Sequence, residues 1–203
     1  MSARFAPPPD HAGDPVGTSS WRTGPNVLTL IRLLLVPVLA VLLLAQDGHD
    51  PALRWWSTAV FLVAALTDLV DGEWARRSGT VTTVGKIADP IADKAITGVA
   101  LIGLSYLGDL PWWVTIVILA REIGVTVLRF WVIRHGVIPA SRGGKAKTVA
   151  QIVAISLYLA PLPEGFELVR IVAMGIAVVL TVVTGLDYAV QARRLRRSGT
   201  ISP

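Results

Sequence analysis

The chain has 203 residues, 53% of them hydrophobic and 16% charged, with a net charge of +5 and no cysteine. A soluble globular chain carries about 25% charge; here long apolar runs recur, which excludes an ordinary soluble domain and indicates a polytopic membrane protein. The missing cysteines exclude a disulfide framework, thiol catalysis and cysteine-ligated metals, and most basic residues cap apolar runs instead of lining a soluble face, so no nucleic-acid partner is expected.

Residues 1–22 form a disordered cytoplasmic tail. Their first twenty, MSARFAPPPDHAGDPVGTSS, are rich in Pro, Gly and Ser and lack the apolar stretch of a secretory signal. Residues 23–193 read as an all-α membrane domain and residues 194–203 as a basic C-terminal tail. Within the domain, apolar segments occupy roughly 27–45, 53–75, 84–107, 111–134, 147–161 and 168–192. Each approaches the ~20 residues that cross a bilayer core. Pro161 and Pro163 end the fifth, and Pro90 bends the third or starts its regular part.

Loop charge orients these six spans. With both termini in the cytoplasm, the external connections hold Asp47, Asp50, Arg54, Asp109, Glu164, Glu167 and Arg170. The cytoplasmic side then holds Arg76, Arg77, Lys86, Arg134, Arg142, Lys145, Lys147, Arg193, Arg194, Arg196 and Arg197, which satisfies the positive-inside rule. Trp55, Trp56, Trp112 and Trp113 at external helix ends read as an aromatic belt. No internal repeat supports an inverted-repeat transporter.

The second segment carries Asp68 and Asp71, and the third carries Asp89 and Asp93. Each intramembrane carboxylate costs at least ~2.5–3.5 kcal/mol on insertion scales, so four together imply function. At about 100° per residue Asp68 and Asp71 share one helix face, with Gly72, Ala75 and Arg76 beside them; Gly85, Asp89 and Asp93 share a face of the next helix. A short linker makes the two helices antiparallel neighbours, so the aspartate pairs face each other. Asp71 stands five residues from Arg76, roughly 7–8 Å along the axis, which places the site near the cytoplasmic surface. Bare carboxylates would repel one another, and hard oxygen donors suit Mg²⁺ or Mn²⁺. Two such ions would offset all four charges, an arrangement used in phosphoryl chemistry. Arg76 can bind phosphate bidentately.

The stretch DLVDGEWARRSGTVTTVGKIADPIAD, residues 68–93, resembles the signature of the CDP-alcohol phosphotransferases: DxxDGxxAR, eight residues, then GxxxDxxxD. Asp68, Asp71, Gly72, Ala75, Arg76, Gly85, Asp89 and Asp93 fill every fixed position. The resemblance implies a six-helix enzyme that transfers a phosphoalcohol group from a CDP-linked donor to an alcohol and releases CMP. It implies that Asp68, Asp71 and Asp89 ligate two divalent ions, with Asp93 completing the second site and acting as general base. Gly72, Ala75, Arg76 and Gly85, with Thr82, line the cytidine diphosphate pocket by the same resemblance, and a homodimer is the expected assembly.

Three further stretches bear on the acceptor: PNVLTLIR (25–32), AREIGVTVLR (120–129) and GGKAKTVAQ (143–151). They are similar to stretches of the family's bacterial branch that uses CDP-diacylglycerol as donor and glycerol 3-phosphate as acceptor, which sets the expected location as a bacterial cytoplasmic membrane with the site facing the cytoplasm. Arg121 and Arg129 lie inside an apolar helix, and Lys145 and Lys147 flank a helix start that favours an anion. Together they are expected to hold the acceptor phosphate; the competing reading pairs Arg121 with Glu122 or the aspartates. Asn26 and Thr29, with Arg32, seat the donor, or alternatively cap the helix and snorkel. Asp187 is read as the partner of a tail arginine. Other acceptors, inositol phosphate or phosphatidylglycerol, and a divalent-cation transporter remain the alternative readings.

Overall fold

A computed structural model of the protein describes residues 24–78, 83–132 and 142–198, with side chains over 30–67, 94–128 and 143–193. Every regular element among the described residues is helical. The α-helices are α1 (Gly24–Leu44), α2 (Pro51–Ser78), α3 (Thr83–Tyr106), α4 (Trp112–Val132), α5 (Arg142–Leu159) and α6 (Glu167–Ser198).

Local chemistry sets the turns. Asp50 caps α2, its Oδ1 accepting from the Leu53 amide at 2.9 Å, and Pro51 fills the first helical position, where its missing N–H costs nothing. Before it, Gln46, Asp47 and Gly48 take left-handed φ values of 51°, 54° and 70°, which reverses the chain in a few residues. α3 ends in a Schellman arrangement around Gly108 (φ 83°). The Asp109 amide donates to the Leu104 carbonyl at 3.0 Å, and the Gly108 amide to Ser105 at 3.2 Å. α5 stops at Leu159, just before Pro161 and Pro163 as the sequence predicts. Pro90 does not start the third helix: α3 begins at Thr83 and runs through it.

α1 packs on α2 and α3; α5 and α4 both pack on α6, and α2 meets α5. The core takes Leu39 and Leu43 from α1, Phe61 from α2, Leu101 and Leu104 from α3, Ile118 from α4, Ile155 from α5 and Met174 from α6. Gly103 permits the α1–α3 approach, since a Cβ there would stand 2.5 Å from Leu43 Cδ2. The outer surface is also apolar: Val41 is 69% exposed and Leu168 70%. The spans Leu30–Gly48 and Glu164–Arg193, with mean hydropathy 2.1 and 2.3, are long and apolar enough to cross a membrane. Most of each span faces outward, as a lipid-facing helix does and a soluble core helix does not.

Arg54 closes one end of the bundle. Its Nη1 meets Asp109 Oδ2 at 2.7 Å and its Nη2 donates to the Tyr158 carbonyl at 2.9 Å, tying α2 to the α3–α4 turn and to α5. Trp55, Trp56, Trp112 and Trp113 are exposed at this same end. Asp109→Ala strands a buried guanidinium, so a loss of about 1–3 kcal/mol is expected, read as a lower Tm in detergent. Arg32, at 2% exposure, is buried and does not snorkel. Asp187 accepts from Gln191 at 2.8 Å, a partner one turn away on its own helix.

Candidate active site

α2 is helical without interruption through Asp68, Asp71, Gly72, Ala75 and Arg76, and α3 through Gly85, Asp89 and Asp93. α2 and α3 pack on one another. The three- and four-residue spacings of the signature are therefore true helical spacings on adjoining helices. The side chains of these residues lie outside the described ones, as do those of Asn26, Thr29 and Arg129. Thr82 lies outside the described residues altogether. Among the described residues no group of three or more His, Asp or Glu is placed to hold a metal.

A cavity of about 110 Å³ adjoins the signature, walled by α2, α3, α4 and α5. Its wall includes Ala65, three residues or ~4.5 Å of helix before Asp68, and Lys94, the residue after Asp93. Facing them are Glu122 from α4 and Lys147, Thr148 and Gln151 from α5, among apolar Phe61, Ile96 and Ile155. Two ammonium groups and one carboxylate thus border a mostly apolar hollow. An anionic ligand gains most from such fixed charges where water is scarce.

Each charge is held by named partners. Lys147, 8% exposed in its side chain, pairs with Glu122 Oε1. The same oxygen receives Arg121 Nη1 at 3.1 Å. Lys94 Nζ bonds the Thr126 hydroxyl, which donates to the Glu122 carbonyl at 2.8 Å. Arg121 reaches away to α6, where Nε donates to the Thr181 carbonyl at 3.2 Å and Nη2 to Thr184 Oγ1 at 2.9 Å. Gln151 donates to Thr181 Oγ1 at 2.9 Å, closing a polar ring through α4, α5 and α6.

Of the four basic residues expected to bind acceptor phosphate, the structure puts Lys147 on the cavity wall. Lys145 is exposed, and Arg121 is engaged by Glu122, Thr181 and Thr184, the first of these being the pairing set against its phosphate role. The sequence reading missed Lys94 as a cavity residue and gave Glu122 no role beyond partner to Arg121. An acid flanked by lysines 28 and 25 residues away in sequence carries no local signal.

The family model described as CDP-alcohol phosphatidyltransferase matches residues 22–183. A "Probable phosphatidylglycerophosphate synthase" of Mycobacterium tuberculosis (strain ATCC 25618 / H37Rv) is 54% identical over 176 residues, 87% of this chain and 83% of that protein. A "CDP-diacylglycerol--glycerol-3-phosphate 3-phosphatidyltransferase" of Bacillus subtilis (strain 168) is 40% identical over 179 residues, 81% of this chain and 92% of that protein. A "Cardiolipin synthase (CMP-forming)" of Streptomyces coelicolor (strain ATCC BAA-471 / A3(2) / M145) is 33% identical over 192 residues, 90% of this chain and 88% of that protein.

Proposed function

The chain belongs to the CDP-alcohol phosphatidyltransferase family, and on that premise we propose that it transfers the phosphatidyl group of CDP-diacylglycerol to sn-glycerol 3-phosphate, giving phosphatidylglycerophosphate and CMP. The observation that carries this reading is the filled eight-position signature on two adjoining helices, next to a cavity bordered by Lys94 and Lys147. The names of the relatives at 54% and 40% identity support the choice of acceptor.

The family generally depends on a divalent metal. The donor set fits one: four carboxylates on two helices and no cysteine anywhere in the chain. Asp68, Asp71, Asp89 and Asp93 would hold two Mg²⁺ ions, or Mn²⁺. Bound there, the ions supply neutralisation of the pyrophosphate and of departing CMP. Gly72, Ala75 and Gly85 leave room for the nucleotide, while Arg76, Thr82, Asn26 and Thr29 bind its polar groups. Arg129, Lys145 and Lys147 serve the acceptor phosphate; Arg121, grouped with them from the sequence, is turned to Glu122 and to α6. Asp93 takes the proton of the acceptor hydroxyl as that oxygen bonds the β-phosphorus; the bond from that phosphorus to the CMP oxygen breaks, and CMP leaves.

The six helices span the cytoplasmic membrane of a bacterium with both termini and the site inside. Support comes from the loop-charge asymmetry and from the four exposed tryptophans at the end opposite the signature. Residues 1–22 and 194–203 are cytoplasmic tails flanking the membrane domain at 23–193. The working unit is a homodimer, which light scattering of the detergent-solubilised protein checks.

CMP release by purified protein, given CDP-diacylglycerol and a panel of acceptors, tests the assignment. Release with inositol phosphate or phosphatidylglycerol but not with glycerol 3-phosphate overturns it; the 33% identical cardiolipin synthase makes phosphatidylglycerol the acceptor to try beside it. Lys145→Ala combined with Lys147→Ala is expected to raise the acceptor KM about tenfold while the donor KM stays within about twofold, the scale of a lost charged hydrogen bond. An unchanged acceptor KM would leave both lysines to topology.

A further inference from the structure

Consecutive helix residues point about 100° apart. Arg121 therefore faces α6 while its neighbour Glu122 faces α5 and the cavity, and only Glu122 of the two lines the hollow. Glu122 Oε1 is shared between Lys147, on the cavity wall, and Arg121, behind it. Arg121 in turn lies in a slot of α6 made by the Thr181 carbonyl, the Thr184 hydroxyl and the bare face of Gly185. A Cβ on Gly185 would stand 2.9 Å from Arg121 Cγ and 3.4 Å from Nε, so the arginine stem occupies the space that a side chain there would need. All three charged side chains are at most 15% exposed, so none is held loosely by solvent.

We propose that Glu122 is a positioning residue for the acceptor: it fixes the Lys147 ammonium at the cavity wall and is itself fixed by Arg121, which α6 holds through Thr181, Thr184 and Gly185. This rests on Lys147 serving the acceptor, as proposed above, and it makes Arg121 a support behind the site instead of a direct phosphate ligand. The physical reason is charge. A lysine aimed into an apolar hollow loses its hydration, and a carboxylate at its side offsets that loss while restricting the ammonium to one place. The carboxylate also leaves the site selective, because an entering anion must share Lys147 with Glu122, and a doubly charged phosphate competes for it better than a neutral alcohol does.

Glu122→Gln keeps the shape and removes the charge. It is expected to raise the acceptor KM about tenfold or more while the donor KM stays within about twofold, with Glu122→Asp falling between it and the native protein. Gly185→Ala touches neither cavity nor signature, yet it displaces Arg121; an acceptor KM raised about threefold or more is expected from the weakened support. Gly175→Ala, on the same helix with nothing within 4 Å of the added carbon, is the control and leaves both constants unchanged. Constants are measured with whichever acceptor drives CMP release by the native protein, so a wrong acceptor assignment shows before any variant is made. Donor and acceptor KM rising together, or kcat alone falling with the amount of folded protein, overturns the positioning role. Should Glu122→Gln fail to fold, an acceptor KM unmoved by Gly185→Ala also overturns it.

Discussion

Asp93→Asn is expected to lower kcat by about 10³-fold or more, while CDP-diacylglycerol still binds. The substitution is nearly isosteric, and the amide oxygen can still act as a neutral ligand. What it cannot do is accept a proton: the amide is not a base near neutral pH. A positioned base contributes about 10²–10⁴-fold by itself, and the loss of one carboxylate from a four-carboxylate set weakens charge neutralisation as well. The two losses fall on the same step and act in the same direction. Asp93 lies on α3 immediately before Lys94, whose side chain borders the cavity proposed for the acceptor. CMP release measured against donor binding separates the effects. Near-normal release by the variant removes Asp93 from the mechanism; equal loss of release and of donor binding makes it a ligand without a basic role.

The helical spacing of the signature was legible in the sequence because helical periodicity is a local property. Asp68 and Asp71, or Asp89 and Asp93, share a face whatever the tertiary structure, and α2 and α3 are continuous helices through them. A helix end was legible where residues force it, as at Pro161 and Pro163; the glycine end at Gly108 went unread. Elsewhere hydropathy marks the apolar part of a helix and not its end. α5 starts at Arg142, five residues before the apolar stretch at 147, and α6 continues to Ser198 beyond the stretch that closes at 192. Polar turns at such ends still complete backbone hydrogen bonds and cost little in water. The pairings Arg54–Asp109 and Glu122–Lys147 were not legible, because each depends on how two separate helices are rotated and staggered. Both acidic partners had been counted only as a loop charge or as a possible mate for a neighbouring arginine. The slot at Gly185 is of the same kind: a glycine in an apolar helix has no sequence mark that tells a packing gap from a chance residue, and only Arg121 filling it does.

Removal of divalent cation is expected to abolish CMP release, by at least about 10³-fold, since charge stabilisation by bound metal amounts to several kcal/mol. Mg²⁺ should restore it, and Mn²⁺ also, because both accept an all-oxygen donor set in octahedral geometry. Stability carries a second, sign-crossed expectation that does not depend on turnover. With the metal removed, four carboxylates on two packed helices repel one another, so the native protein in a chelator should melt at a lower temperature than in Mg²⁺. Asp89→Asn takes away one of those charges. In chelator the variant should therefore melt above the native protein, and in Mg²⁺ below it, because the repulsion it relieves exists only without metal and the ligand it loses matters only with metal. That crossing separates a metal-binding carboxylate from one that pairs with Arg76, Lys86 or Lys94. A carboxylate held by a cation stabilises the fold under both conditions, so its loss would lower Tm in chelator and in Mg²⁺ alike. A crossing observed together with cation flux and no CMP release would favour an ion path over the transferase. A crossing together with Mg²⁺-dependent CMP release assigns the four aspartates to the reaction.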